Sequence, residues 1–176
     1  MRYFKYLDLN WQHVSEKLKQ FVLANKELVN YDKNGWKSVE IHHISTIVPD
    51  IIKMLKPLNI IPCNISFLIS YDNKGIIHRD YDNKNRRILL PILNCEQSVT
   101  RFYKSNQPHL LKKQDNGIPY YGVNNPELCE VVSEYELTQP VTIRTTELHC
   151  VHTTNTNFPR ISCPINVNKD LDYLLN

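Results

Sequence analysis

The chain changes character near residue 60, and this change constrains its fold more than any other feature. Beyond that point, short segments rich in β-branched and aromatic residues alternate with turn residues, as is typical of antiparallel sheets. About eight strands are predicted, at 65–71, 76–80, 87–93, 99–104, 130–136, 141–145, 149–153 and 160–167. Pro91 within one of them indicates an edge strand or a bulge. The series predicts an antiparallel sandwich or barrel.

Two helices are predicted before the strands. Apolar residues recur at helical spacing between residues 11 and 29, and a second helix is expected from Pro49 to Lys56, where Pro57 ends it. Both helices are expected to pack against a sheet. The fold class is therefore α+β, as one domain over 1–176 with helical support at about 10–58 and a β core at about 60–168. Residues 105–125 are rich in Pro, Asn, Gln and Gly and are predicted to form a long loop.

Length and charge exclude several classes of protein. The 176 residues suit one domain, and no apolar run approaches the roughly 20 residues that cross a bilayer. A net charge of +3, from 21 basic and 18 acidic residues in scattered positions, is too mild to indicate nucleic acid. The N-terminus lacks the apolar core of a signal peptide. A cytoplasmic protein is expected, and the abundance of Asn, Ile and Lys favours a bacterial or virus-infected host cell.

The cysteines indicate reduced thiols. Their number, five, is odd and no CxxC occurs, so neither a disulfide framework nor a zinc ribbon is predicted. Most lie in strand-like stretches, where a buried thiol acts as a small hydrophobe. A nucleophilic cysteine is the alternative.

Chemistry is indicated by the triplet of His78, Arg79 and Asp80. On a strand, residues two apart share a face, so His78 and Asp80 point together and Arg79 points away. A third ligand from a late strand would complete two imidazoles and one carboxylate, the triad that leaves open positions on non-haem Fe(II). His149 and His152 are both candidates, and their spacing puts them on opposite faces of a regular strand.

These motifs, together with Arg160 and Ser162, resemble the 2-oxoglutarate and Fe(II)-dependent dioxygenase superfamily. The ordered set is His-x-Asp, a distal His about ten residues before an Arg, and a Ser two residues after that Arg. The tract 71–103 also resembles small phage and marine-bacterial members and, more distantly, prolyl and aspartyl/asparaginyl hydroxylases. The resemblance covers roughly residues 60–168.

The resemblance implies a role for each matching residue. His78, Asp80 and His149 would hold Fe(II), with His152 as the second choice for the distal ligand. Arg160 would pair with the far carboxylate of 2-oxoglutarate and Ser162 would hydrogen-bond it, while Tyr71 would help to bind this cosubstrate. The implied fold is a double-stranded β-helix, the jelly-roll or cupin-like architecture, with the helices on one sheet. The implied reaction consumes O2, with ascorbate as an auxiliary reductant, hydroxylates a C–H bond and releases succinate and CO2.

The substrate and two other readings stay open. A peptide or amino-acid side chain is favoured, a small metabolite is nearly equal, and nucleic acid is disfavoured because stacking aromatics with basic patches are lacking. Arg86 and Arg87 have no assigned role; Arg87 could face the cosubstrate, a substrate carboxylate, or a salt-bridge partner on the sheet. A cupin-like metal protein without turnover, and a structural jelly roll with incidental histidines, are the alternatives to an enzyme. The oligomeric state is not predicted.

Overall fold

Twelve strands dominate the computed structural model, which describes residues 1–28, 36–41, 44, 46–71, 75–96, 98–113, 117–153 and 159–176. In chain order they are β1 Phe4–Tyr6, β2 Trp36–Glu40, β3 Pro62–Ser70, β4 His78–Asp80, β5 Arg87–Leu93, β6 Ser98–Lys104, β7 Leu110–Lys113, β8 Pro119–Gly122, β9 Glu130–Glu136, β10 Val141–Ile143, β11 His149–Thr153 and β12 Arg160–Val167. The helices are α1 Gln12–Ala24, α2 Val48–Leu55 and α3 Asp172–Leu175, with single 3₁₀ turns at Lys26–Leu28, Lys56–Leu58 and Pro126–Leu128.

The strands form two six-stranded antiparallel sheets. Sheet A has the order β1-β10-β5-β12-β3-β2, and sheet B has the order β7-β8-β4-β11-β6-β9. One end of the space between them is filled by Leu89 and Val141 of sheet A against Phe102 and Tyr135 of sheet B. The predicted antiparallel sandwich is therefore confirmed as two packed sheets with helices added.

Helices α1 and α2 cover the outer face of sheet A. Leu18 of α1 and Ile51 of α2 share one buried cluster with Phe67 of β3 and Ile165 of β12. Burying side chains of this size contributes about 2 to 3 kcal/mol each. The predicted packing of helices on a sheet is confirmed. Helix α1 ends before the predicted boundary at residue 29, which lies outside the described residues, because the amide of Asn25 closes the last turn on the carbonyls of Phe21 and Val22.

Strand β3 shows how this fold prepares an interior site. Its alternate residues Ile65, Phe67 and Ile69 point to the helices and join the large core. The residues between them, including Ser66 and Ser70, point toward sheet B and line a cavity. Strand alternation thus gives β3 an apolar face toward the helices and a largely polar face toward the cavity.

Residues 105–125 contradict the predicted loop. Strands β7 and β8 lie in this segment and pair with each other as a hairpin around residues 114–116, which are outside the described set. Strand β8 then pairs with β4, so Tyr120 lies opposite Asp80. Cross-strand pairing outweighs the local signal of turn residues here, because the segment adds two strands to the edge of sheet B. The short strands β1 and β2 were also not predicted.

Pro91 was predicted to mark an edge or a bulge, and only the bulge is confirmed. Strand β5 lies inside sheet A, between β10 and β12. Its register with β12 shifts between Ile161 and Ser162, where Ser162 lies opposite Pro91. A proline is tolerated there because the ladder is already interrupted.

Within the described ranges, no helix is both long enough and apolar enough to cross a lipid bilayer.

Candidate metal centre

Two neighbouring strands of sheet B bring three side chains to one point. On β4, His78 and Asp80 face the interior, while the guanidinium of Arg79 points outward and lies 4.1 Å from the ring centroid of Tyr121. On β11, His149 lies directly opposite His78 in the antiparallel register. One ligand atom from each of His78, Asp80 and His149 lies within 4.8 Å of the other two. These three side chains could hold a metal ion.

Both imidazoles are oriented in the same way. Nδ1 of His78 lies 2.8 Å from the carbonyl of Ile76, and Nδ1 of His149 lies 2.9 Å from the carbonyl of Glu147. Because a carbonyl can only accept, each Nδ1 carries the proton and donates it. Each Nε2 is then left with its lone pair, which is the arrangement of metal-binding histidines held by an outer hydrogen bond.

The two carboxylate oxygens of Asp80 have different neighbours. Its Oδ1 lies 3.8 Å from Nε2 of His78, on the side of the imidazoles. Its Oδ2 forms a 2.9 Å ion pair with Nη2 of Arg87. Nε of Arg87 in turn donates to Oδ1 of Asn166 at 3.3 Å. One carboxylate oxygen is therefore engaged by sheet A and the other is directed at the imidazoles, so Arg87 has the salt-bridge role among its predicted alternatives.

Electrostatics keep Asp80 and His149 in the states that metal ligands need. Burial, followed by the neighbouring His78, lowers the pKa of His149 to about 4, so this imidazole is neutral at pH 7. Burial acts to raise the pKa of Asp80, but Arg87 and the two imidazoles outweigh it and hold that pKa below its usual range. A neutral imidazole and an ionised carboxylate are the forms that bind metals.

His152 does not belong to this cluster. It lies on the opposite face of β11, where its Nε2 is 2.5 Å from the hydroxyl of Tyr103. Its strand neighbour Cys150 also faces outward and packs with Tyr103, Val123 and Leu148. The geometry therefore brings His149, and not His152, to His78 and Asp80.

Gly75 allows β4 to approach β11. A Cβ atom built at this position would lie 2.3 Å from Sγ of Cys150 and 2.4 Å from the carbonyl oxygen of Val151. Contacts this short do not occur for real side chains, so the segment leading to His78 needs glycine to lie against the distal-histidine strand.

Arg160 is buried deep between the sheets, with 1% of its surface exposed. Its Nε donates to Oγ of Ser98 at 2.7 Å and its Nη1 donates to Oγ of Ser162 at 3.4 Å. Across the described part of the chain, no carboxylate forms an ion pair with it. A guanidinium is the side chain best suited to a carboxylate, but the described residues that line the cavity next to the triad do not include Arg160, Ser98 or Ser162.

Tyr71 lies elsewhere. It follows β3 on the helix side and belongs to the core cluster that α1 and α2 share with sheet A. The residue before it, Ser70, faces the cavity. The structure therefore does not bring Tyr71 to the triad, because the one-residue step along an extended chain reverses the direction of the side chain.

A cavity of about 400 Å³ opens beside the triad. Both sheets contribute to it: His78, Asp80, Tyr120, Val151 and Thr153 come from sheet B, and Arg87, Asn166 and the inner residues of β2 and β3 come from sheet A. The ring of Tyr120 meets that of His78 edge to face, with centroids 5.8 Å apart. Sequence reasoning missed Ser98 and Asn166 because each acts through a partner that is distant in the chain.

The cysteines give little support to the nucleophile alternative. All five are free thiols. Burial raises the pKa of Cys150 to about 11 and raises that of Cys163 further above its ordinary value. Both are therefore protonated at neutral pH, and a protonated thiol is a poor nucleophile.

Comparisons with known proteins add no assignment. No protein-family model matches the chain, and no curated protein matches it either.

Proposed function

We propose that the protein is a non-haem Fe(II) and 2-oxoglutarate-dependent dioxygenase that hydroxylates a C–H bond and forms succinate and CO2. The observation that carries the proposal is the convergence of His78, Asp80 and His149, with ligand atoms within 4.8 Å of one another beside a cavity that His78 and Asp80 line. Two imidazoles and a carboxylate on one side of an ion are the ligands that leave open positions for substrates on Fe(II).

The order of the strands supports the same reading. Sheet A has β10, β5, β12 and β3 as its four inner strands, and sheet B has β4, β11, β6 and β9 as four consecutive strands. Counted from β3 and leaving out the β7–β8 hairpin, successive strands alternate between the sheets except at β9, which stays beside β6. This connectivity supports our proposal that the fold is a double-stranded β-helix, the jelly-roll architecture that the sequence resemblance implies.

The geometry of the triad supports a metal site, and the place of the cosubstrate is proposed from the sequence resemblance. His78, Asp80 and His149 would hold the ion, and Arg160 with Ser98 and Ser162 would hold the far carboxylate of 2-oxoglutarate. Bound iron with this cosubstrate and O2 would supply the oxidising chemistry. The chain itself orients the imidazoles through the carbonyls of Ile76 and Glu147 and holds one oxygen of Asp80 through Arg87.

Succinate production tests the proposal. Protein loaded with Fe(II) is supplied with 2-oxoglutarate, O2 and ascorbate, and succinate is measured for the wild type and for Asp80→Ala. The wild type should turn over slowly even without its substrate. Asp80→Ala should lose about 100-fold or more, because losing only a group that supports a ligand already costs roughly 10–100-fold in affinity or activity, and Asp80 is proposed as a ligand.

A matched control separates loss of the ligand from loss of the fold. Asp82 lies two residues further on, exposed, where its carboxylate accepts a hydrogen bond from the amide of Lys84. Asp82→Ala should retain the turnover of the wild type. A folded, iron-loaded wild type that forms no succinate would instead favour a metal protein without this activity.

A further inference from the structure

The turn between β10 and β11 supports two members of the triad at once. It contains three consecutive residues, Thr145, Thr146 and Glu147. The carbonyl of Thr145 accepts a hydrogen bond from the amide of Asp80 at 2.8 Å, and the carbonyl of Glu147 accepts one from Nδ1 of His149 at 2.9 Å. The position of this turn therefore affects the backbone of Asp80 and the ring of His149 together.

The side chain of Asn85 holds the middle residue of this turn. Asn85 is 2% exposed, and its Oδ1 accepts hydrogen bonds from the amide of Thr146 at 3.1 Å and from Oγ1 of Thr146 at 3.2 Å. Asn85 lies in the loop that joins β4 to β5, between Asp80 and its ion-pair partner Arg87. One buried carboxamide thus joins the loop that follows Asp80 to the turn that precedes His149.

The C-terminal helix α3 holds the same carboxamide. Oδ1 of Asp172 accepts a hydrogen bond from Nδ2 of Asn85 at 2.6 Å and another from Nη1 of Arg144 at 3.1 Å. The backbone adds a further link, since the amide of Leu171 donates to the carbonyl of Asn85 at 2.7 Å. Arg144 directly precedes the turn, so a single carboxylate oxygen of α3 binds both the β4–β5 loop and the start of the β10–β11 turn.

These contacts suit the control of geometry better than the supply of stability. The side chain of Asp172 is 46% exposed, so its ion pair with Arg144 adds little to the unfolding free energy. Metal ligands, however, must be held within about 0.5 Å of their productive positions by the groups around them. Asn85 is placed to do this because it links the backbone supports of two separate ligands.

We propose that Asn85 is a positioning residue of the metal centre, which sets the separation of Asp80 and His149 and is itself oriented by Asp172. This inference rests on the proposed function in one respect, that the triad holds a metal ion. It does not depend on the reaction that the bound ion supports.

Binding of Co²⁺ tests the inference without turnover. Asn85→Asp keeps an oxygen that accepts from Thr146, but it loses the donor to Asp172 and places two carboxylates side by side. Its Co²⁺ affinity should fall about tenfold, as when a group that supports a metal ligand is lost, and the visible absorption bands of the bound ion should shift. Circular dichroism establishes that the variant is folded under the conditions of the titration.

Exchanging the two side chains should restore the site. In Asn85→Asp/Asp172→Asn, the carboxamide at position 172 can donate to the carboxylate at position 85 and still accept from Arg144. Its Co²⁺ affinity and absorption bands should return to within about twofold of the wild type, which a double-mutant cycle would report as coupling. Asp172→Asn alone keeps an acceptor for Asn85 and Arg144, so it should change Co²⁺ affinity little.

Two further variants separate positioning from stability. Nδ2 of Asn25 donates to the carbonyl of Phe21 at the end of α1, so Asn25→Asp also loses a donated hydrogen bond, but far from the triad in the fold. It should lower the urea midpoint and leave Co²⁺ binding unchanged. Thr146→Val removes only the hydroxyl that donates to Asn85, and this milder change should lower Co²⁺ affinity about threefold even if Asn85→Asp does not fold.

The outcomes distinguish the inference from the proposed function. Wild-type Co²⁺ binding by folded Asn85→Asp or by Thr146→Val would overturn the inference and make Asn85 purely structural, and so would a double variant that is not restored. A wild type that binds no Co²⁺ would overturn both the inference and the proposed function. Co²⁺ binding that depends on Asn85, in a protein that forms no succinate with Fe(II), would overturn the proposed function alone.

Discussion

At the scale of single residues, the two candidate distal histidines differ in what they face. His149 is 5% exposed and faces the interior opposite His78, while His152 faces outward and contacts the hydroxyl of Tyr103. Sequence spacing placed them on opposite faces of a strand but could not say which face was the interior. That choice depends on how β11 pairs with β4 and β6, which involves residues far apart in the chain.

Metal retention is predicted to separate these two histidines. His149→Ala should lower Fe(II) affinity by at least ~10-fold, because it removes a ligand, whereas His152→Ala should change it little. The measurement is bound iron after gel filtration, or titration with a metal indicator. The reverse ranking would show that the ion binds on the outer face of sheet B.

A second prediction concerns the buried guanidinium. Arg160→Met replaces a buried charge with a flexible apolar side chain of similar length, so the apo protein should gain about 1 kcal/mol or more of unfolding free energy. The same variant should lose most of its 2-oxoglutarate affinity and keep its Fe(II) affinity. Urea unfolding and ligand titration give the two values. A destabilised variant would mean that Arg160 is mainly structural.

At the scale of elements, the site depends on how closely one short strand approaches another. Strand β4 has three residues and lies between β8 and β11. Neither the hairpin that supplies β8 nor the backbone approach at Gly75 was predicted. The turn residues in 105–125 favour a loop. The pairing of β8 with β4 depends on tertiary contacts, which outweigh this local preference.

Gly75→Ala is predicted to disturb the metal centre from outside it. The added methyl group would meet Cys150 and the carbonyl of Val151, so β4 and β11 must separate. We expect a loss of about 1 to 3 kcal/mol of stability, as for other overpacked positions, together with weaker Fe(II) binding. Thermal unfolding with and without metal measures both. Gly117→Ala is a useful contrast, since space is open there but its φ of +83° is unfavourable for alanine; it should cost stability without changing the metal affinity of the folded protein.

At the scale of the whole molecule, the sequence predicted the class of architecture better than its details. Strand alternation and helical spacing are local patterns, so the sandwich, the two N-terminal helices and the shared face of His78 and Asp80 could all be anticipated. The order of strands within each sheet could not, because it is decided by pairings between distant segments. Ser98 and Asn166 entered the site through these pairings, and neither stands in a recognisable motif.

The unfolding free energy of the whole chain is predicted to fall as the pH is lowered from 6.5 to 4. His149 titrates near 6.5 when unfolded but at about 4 when folded, so below 6.5 the unfolded chain binds a proton that the folded chain does not. The unfolding free energy of metal-free protein should therefore decrease between pH 6.5 and 4, by about 3 kcal/mol in total. The lowered pKa of His152 acts in the same direction, and that of Asp80 acts below pH 3.8.

Urea titrations of EDTA-treated protein from pH 7 to pH 4 check this expectation. His149→Gln should show a shallower decline than the wild type, with the remainder due to His152. Parallel declines would mean that His149 is accessible to protons in the folded state.

The position of the three ligands along the chain has a consequence for how the protein resists unfolding. His78 and His149 are roughly 70 residues apart, yet they lie side by side. An ion bound by both would act as a reversible cross-link between the first and last thirds of the β core, as a disulfide does in secreted domains, and would close the intervening loop. Loss of that ion would then loosen the short strand β4, so the supply of metal would govern the lifetime of the protein.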